Sequence, residues 1–266
     1  MVRAPQPLVD RARILLAAHH DAAPLVLPNA WDLPSARAVA AAGFRAVATS
    51  SRAIADALGE PDNDSSDPDL LFDLVGRMSR AVDVPLTADL QAGVRLEPDE
   101  LVDRILGAGV AGCNLEDTDH HGPGTLIEVE TQAAFLSAVR GAAEARGIHL
   151  VINARVDTFV RRVGDEAEQL AEAIRRGRRY LQAGADCVYP IAAADPAAIR
   201  DLVAAIPGPV NIVARAGGLT IPQLAELGVQ RISMGAGIHQ LVMRDLASRL
   251  ERLAAGDPLA EIWQAG

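Results

Sequence analysis

The chain has 266 residues, half of them hydrophobic, which suits a single domain over residues 1–266 at a size that α/β barrels commonly occupy. A formal net charge of −10 without any basic run excludes a nucleic-acid surface, and no stretch approaches the roughly 20 apolar residues of a membrane span. All 25 basic residues are arginine, so Schiff-base lysine chemistry, lysine-anchored pyridoxal phosphate and the P-loop are excluded, and any enolate formed here needs a metal or an arginine to stabilise it.

In chain order, the opening "MVRAPQPLVDRARILLAAHH" carries charges where an export signal needs an apolar stretch, and a cytoplasmic protein is expected. Short apolar runs then alternate with amphipathic segments. The strand candidates are "LVLPNA" (25–30), "RAVATSS" (45–51), "PLTADLQ" (85–91), "GCNLED" (112–117), "LVINARVD" (150–157), "DCVYPI" (186–191), "PVNIVA" (209–214) and "RISMGA" (231–236). Between them lie helical patterns such as "EPDELVDRILGAG", with Leu101, Ile105 and Leu106 on one face. Small-residue turns such as "LQAGAD" and "AELGV" supply the helix stops. Eight strand-helix units predict a (β/α)8 barrel with its active site at the carboxyl ends of the strands, a doubly wound sheet being the second choice. Cys113 and Cys187 sit in apolar contexts and read as reduced core residues.

The ends of the third, fourth and fifth strands carry polar residues with period two: Asp89 and Gln91, Asn114 and Glu116, Asn153, Arg155 and Asp157. A parallel strand buried on both faces reads as continuous apolar residues, so charges there must pair or bind something. Asp89 and Glu116 on neighbouring strands suit one hard cation such as Mg2+. Gln91 adds only a neutral oxygen, and the alternative is that Arg155 pairs with a carboxylate and no metal binds. "GAGVAG" (107–112) has GxGxxG spacing but follows a helix and precedes a strand, the reverse of a dinucleotide site. Hydroxyls in "ATSS" (48–51) offer an anion site. "GEPDNDSSDPD" (59–69) and "TDHHGPG" (118–124) read as lids, the second presenting His120 or His121 as a proton donor. "ARAGGLT" (214–220) and "MGAG" (234–237) occupy the usual phosphate position of barrels.

From "LPNAWDLPSARAVAAAGFRAVATSSRAIADALGEPD" (27–62) onward, through "TADLQAG", "NLEDTDHHG", "VINARVDTF" and "RAGGLTIPQLAELGVQRISMGAG", the chain resembles the isocitrate lyase/phosphoenolpyruvate mutase superfamily. The resemblance implies a Mg2+-dependent barrel, with Mn2+ as an alternative ion, that makes or breaks C–C or P–C bonds beside a 2-oxo acid through an enolate. It also implies a homo-oligomer, dimer or tetramer, exchanging C-terminal helices. Position by position it places Ser50 with the backbone of Ser51 and Arg52 at the substrate carboxylate and enolate oxygen. Asp62 falls in a gating segment, Asp89 and Glu116 in the metal sphere, and Arg155 on the substrate; Asn114 and Asn153 complete the expected substrate-binding set, and His120 the catalytic one. The departures are Gln91 where an acidic residue is common, "AGVR" for a Gly-Tyr-Gly run, no cysteine-bearing loop after the fourth strand, and no glutamate in "YPIAA" (189–193). These disfavour isocitrate or methylisocitrate cleavage. The expected activity is C–C cleavage of an oxaloacetate- or malate-like 2-oxo or 2-hydroxy carboxylate. The alternatives are P–C bond chemistry of the phosphoenolpyruvate mutase or phosphonopyruvate hydrolase kind, and a catalytically weakened carboxylate-binding barrel.

Overall fold

The computed structural model describes residues 6–64, 67–122, 124–162 and 164–262. Its strands are β1 (Leu25–Leu27), β2 (Asn29–Ala30), β3 (Val47–Thr49), β4 (Leu86–Asp89), β5 (Gly112–Glu116), β6 (Val151–Val156), β7 (Cys187–Pro190), β8 (Asn211–Val213) and β9 (Arg231–Ser233). The helices are α1 (Gln6–Ala18), α2 (Leu33–Ala41), α3 (Ser51–Leu58), α4 (Pro68–Arg80), α5 (Pro98–Gly107), α6 (Val129–Ala145), α7 (Thr158–Arg161), α8 (Glu166–Gln182), α9 (Pro196–Ala205), α10 (Ile221–Glu226), α11 (Gly237–Ala254) and α12 (Leu259–Ile262). All eight predicted strand positions are present, each shorter than its apolar run.

The first position is split because Pro28 has no N–H for a ladder. Before it, β1 pairs with β9, Leu25 opposite Arg231; after it, β2 pairs with β3, Asn29 opposite Ala48. One sheet therefore runs β2-β3-β4-β5-β6-β7 and the other β1-β9-β8, every pairing parallel. A parallel bridge between Val188 and Val210 connects the two on the far side. The strands thus follow one another around a (β/α)8 barrel, with Pro28 at the seam.

Local chemistry sets the helix starts that shape the mouth. Asp32, Asp165 and Thr220 each form a capping box, satisfying amide groups that the first helical turn leaves free. Ser50 caps α3, accepting from the Ala53 amide at 3.3 Å. The apolar run 45–51 therefore leaves the ladder at Thr49, and its two serines belong to the β3–α3 turn. On α5 the buried face is Leu101, Val102 and Ile105, while Leu106 is half-buried at its edge. α1 packs against the barrel beside β5 and β6, where Gly112 admits Leu15: a Cβ there would lie 2.7 Å from the Val151 carbonyl and 2.9 Å from the Leu15 side chain. Cys113 and Cys187 are buried and free, and burial pushes both thiols up to about 12.

Candidate active site at the barrel mouth

At the carboxyl ends of the strands lies a cavity of about 160 Å³ into which Ser50, Ser51, Arg52, Asp62, Asp89, Asn114 and Arg155 all project backbone or side-chain atoms. A liquid water occupies about 30 Å³, so the space suits a small acid. Seven of the sequence-predicted site residues thus meet, from segments far apart in the chain. A wider opening of about 580 Å³ adjoins it, sharing Tyr189, Ile191, Gly235 and Ala236, with Arg215 and Arg244 on its wall. Asp62, Asp89 and Arg155 line the smaller space, which is the candidate site. The "ARAGGLT" and "MGAG" segments lie on the wider opening.

Asp89 is held from β3. Its Oδ2 accepts from the Ser51 amide at 3.1 Å and the Ser51 hydroxyl at 2.8 Å, and its own amide donates to Thr49 Oγ1 at 2.9 Å. The Ser51 N–H, expected at the substrate, is therefore occupied by Asp89. The Arg52 guanidinium turns outward to Asp56 at 3.2 Å, leaving its backbone side to the site. Asp89 Oδ1 is buried without a hydrogen-bond partner. An orphaned carboxylate oxygen costs free energy unless a donor or cation arrives.

Gln91 turns toward Asp62, donating from Nε2 to Oδ1 at 2.7 Å. Burial, then the neighbouring Asp89, pushes the Asp62 carboxyl above the usual carboxylate range, and the Gln91 bond opposes this. Arg155 grips Asp157 with Nε at 2.7 Å and Nη2 at 2.9 Å, while Nη1 contacts Glu116 Oε2 outside hydrogen-bonding geometry. Burial opposes the Arg155 charge, but Glu116, Asp157 and Asp89 outweigh it and raise its pKa well above the ordinary value. Glu116 is pushed up by burial, against the pull of Arg155 and of His120, whose Nε2 donates to Oε1. The same bond raises His120 above its usual 6.5. Neither His120 nor Glu116 lines the cavity; Glu116 lies between Arg155 and His120 and contacts both.

Asn153 is fully buried and lies behind Asn114, donating from Nδ2 to Asn114 Oδ1 at 2.8 Å. It supports a lining residue and does not itself line the space. The two segments expected as lids touch: His121 Nε2 donates to Asp64 Oδ2 at 3.1 Å. Residues 65 and 66 of the first segment and 123 of the second lie outside the described residues.

Sequence reasoning did not single out Asn29, Tyr189 and Ser233, which also line the cavity. Asn29 ties the seam at the mouth, donating to the Thr49 carbonyl at 2.6 Å and accepting from the Met234 amide at 2.8 Å. A polar residue directly after Pro28 was the available signal. Burial pushes Tyr189 up to about 12, so its hydroxyl stays protonated. Also unforeseen is a buried network beside the site: Asp117 accepts from Arg176 at 2.9 Å, Tyr180 at 2.8 Å and the Asp157 amide at 2.9 Å. It fixes the segment that carries Asp157, and through it Arg155.

The carboxylates of Asp62, Asp89, Glu116 and Asp157 lie around the Arg155 guanidinium. The orphaned, buried Asp89 Oδ1 fits a hard divalent cation. Among the described residues no three His, Cys, Asp or Glu side chains converge as a ready-made cage, so such an ion would retain waters, as Mg2+ does.

A family model described as phosphoenolpyruvate phosphomutase matches residues 15–254. An uncharacterized protein of Mycobacterium tuberculosis is 36% identical over 241 residues, covering 91% of this chain and 89% of the relative. A candidate 2-methylisocitrate lyase of Corynebacterium glutamicum is 29% identical over 237 residues, 87% of this chain and 75% of its own length. Among solved structures, a candidate phosphonomutase from Burkholderia cenocepacia superposes with a TM-score of 0.85 at 37% identity, covering 92% of this chain and 99% of that one.

Proposed function

The chain belongs to the isocitrate lyase/phosphoenolpyruvate mutase superfamily, whose members are carbon–carbon lyases and mutases, and from that premise we propose that it cleaves a C–C bond of a small 2-oxo or 2-hydroxy carboxylate through an enolate. Proteins named oxaloacetate decarboxylase and 2-methylisocitrate lyase are among its relatives. The observation that carries the reading is the pairing, on one cavity of about 160 Å³, of Arg155 with the unpartnered Asp89 Oδ1.

In this reading the substrate carboxylate takes the Arg155 N–H groups not spent on Asp157, a geometry in which guanidinium excels because its donors form a planar fork. Asp89, with Glu116 nearby, would hold Mg2+, which would supply charge withdrawal from the developing enolate oxygen. Asn114 and the Ser50 turn line the same cavity and would face that oxygen. Asp62, kept above the usual carboxylate range, is placed to accept the proton of a substrate hydroxyl as the C–C bond breaks and its electron pair enters the enolate. The carbinol carbon becomes the carbonyl of the released 2-oxo acid, and returning the proton to the enolate carbon frees the other fragment as a carboxylic acid. From a 2-oxo substrate such as oxaloacetate the electron pair enters the pyruvate enolate as carbon dioxide leaves, and protonation of that carbon gives pyruvate. The size of the cavity favours a substrate of about four carbons.

The test is a Mg2+-dependent turnover screen over oxaloacetate, substituted malates and phosphonopyruvate. Release of pyruvate or another 2-oxo acid from a carbon acid, abolished by chelator, supports the proposal. Phosphate release from phosphonopyruvate alone replaces it with P–C cleavage. Ligand binding without turnover of any substrate overturns it in favour of a carboxylate-binding protein.

A further inference from the structure

Arg231 is the largest fully buried side chain in the structure, and its partners are neutral. It enters the barrel from the start of β9, opposite Leu25 on one side and Asn211 on the other. Nη1 reaches His19 Nε2 at 3.3 Å, Nη2 donates to Asn114 Oδ1 at 3.1 Å, and Nε has no partner. Among the described residues no carboxylate forms an ion pair with it. His19 Nδ1 donates to the Leu15 carbonyl at 2.8 Å, leaving Nε2 as the acceptor that a guanidinium requires. Isolating a cation in a barrel interior costs several kcal/mol, so its retention asks for a reason.

That reason lies at Asn114. Its Oδ1 accepts from two donors, Arg231 Nη2 at 3.1 Å and Asn153 Nδ2 at 2.8 Å. Two donors converging on one amide atom fix which end is oxygen, an orientation that is otherwise open in an asparagine. The other end, Nδ2, has no hydrogen-bond partner among the described residues, and Asn114 lines the cavity next to Asp89, its register neighbour on β4. The amide is therefore held with its N–H groups toward the substrate. A carbonyl that accepts from a cation also polarises its amide, strengthening the N–H as a donor.

We infer that Arg231 is a positioning residue that, with Asn153, locks Asn114 as a hydrogen-bond donor to the enolate oxygen. The inference rests on the enolate reading above. Arg231 never touches substrate; its charge reaches the reacting oxygen through the Asn114 amide. A donor aimed in advance at charge that develops during the reaction contributes more to the transition state than to substrate binding.

The test compares oxalate, a planar mimic of a pyruvate enolate, with pyruvate as the ground-state ligand, both by calorimetry in the presence of Mg2+. Arg231→Met is expected to weaken oxalate at least tenfold, to leave pyruvate within about twofold, and to lower kcat more than it raises KM. Its melting temperature is expected to hold or rise, because an isolated buried cation has been replaced by apolar surface. Asn114→Ala is expected to show the same selectivity, and the double variant to lose no more oxalate affinity than Asn114→Ala alone. Equal weakening of both ligands, or additive losses in the double variant, overturns the inference while leaving the enolate reading standing. A wild-type protein that binds neither ligand removes both. If Arg231→Met does not fold, Arg231→Gln keeps a neutral donor in place. A smaller loss confined to oxalate is then expected, because the donor remains and the charge polarising the Asn114 amide is gone; wild-type oxalate affinity or equal weakening of both ligands in that variant overturns the role.

Discussion

Arg155 carries the proposed chemistry and much of the local charge balance, so its substitutions need care. Removing its charge would strand Glu116 and Asp157 in a buried setting, at a cost of about 3–5 kcal/mol. Arg155→Lys keeps the charge and loses the fork, and it is expected to lower kcat/KM at least about tenfold, on the order of 1.4 kcal/mol, with the fold intact. Unchanged turnover per folded molecule together with a lower melting temperature would make Arg155 purely structural. Gln91→Glu places a carboxylate where an amide now donates to Asp62 at 2.7 Å. Two carboxylates so close cannot both ionise without a cation, so calorimetry is expected to find Mg2+ bound several-fold more tightly than by the wild type. Absence of binding in both forms, oxalate being present, ends the metal assignment. His19 gives the pH prediction. Burial, then Arg231, lowers it from 6.5 to about 4. The unfolded chain takes up this proton first, so the contribution of neutral His19 is complete above pH 6.5 and is lost as the pH falls toward about 4, on the order of 3 kcal/mol. In His19→Gln the decline of melting temperature over that range is expected to be shallower; an unchanged slope refutes the assignment.

At the scale of elements, the turn after β4 is the strained part of the mouth. Gln91, Val94 and Arg95 have φ of 51°, 48° and 61°, in the left-handed region that β-branched residues in particular avoid. Such a turn persists only when its surroundings impose it. Asp64 does so: its Oδ1 accepts from the Ala92 amide at 3.2 Å and the Val94 amide at 2.8 Å, while Oδ2 takes His121. One carboxylate therefore clasps the β3 loop, the β4 turn and the loop after β5. Asp64→Ala is expected to cost about 2 kcal/mol, read in chemical denaturation, and to speed amide exchange at residues 91–95. Exchange that is as slow as in the wild type would show that the turn holds itself.

For the whole molecule the outstanding feature is α11. Val242, Leu246, Leu250 and Leu253 recur at helical spacing and are 46%, 45%, 54% and 44% exposed. An apolar stripe of this length is a surface that a second chain would cover, and the expected homo-oligomer is proposed to form through it. Light scattering is expected to give a dimer or tetramer, and the pair Leu246→Glu and Leu250→Glu to shift it to monomer with the barrel intact. A monomeric wild type at micromolar concentration rules out that role for the stripe.

The sequence by itself determined the eight strand positions, the barrel and seven of the cavity-lining residues: Asp89, Asn114 and Arg155 by their place at strand ends, Ser50 and Ser51 by the hydroxyls of "ATSS", and Arg52 and Asp62 through the family resemblance alone. Strand and helix periods are local signals, and polar residues at the end of a buried strand show themselves against an apolar background. Only the tertiary structure decided the partners. It turned Gln91 to Asp62, 29 positions away, and gave Arg155 a fork on Asp157. It put Asn153 behind Asn114, 39 positions away, and brought Arg231 beneath the same amide from 117 positions away. Hydrogen-bond partners across a barrel depend on strand order and register, which the chain fixes only when the ring is assembled. Period and composition could therefore mark which residues reach the site, while the facing of Gln91, Asn114 and Asn153 came from segments remote in sequence; Arg155 is the exception, its fork closing on Asp157 two residues along the same chain segment.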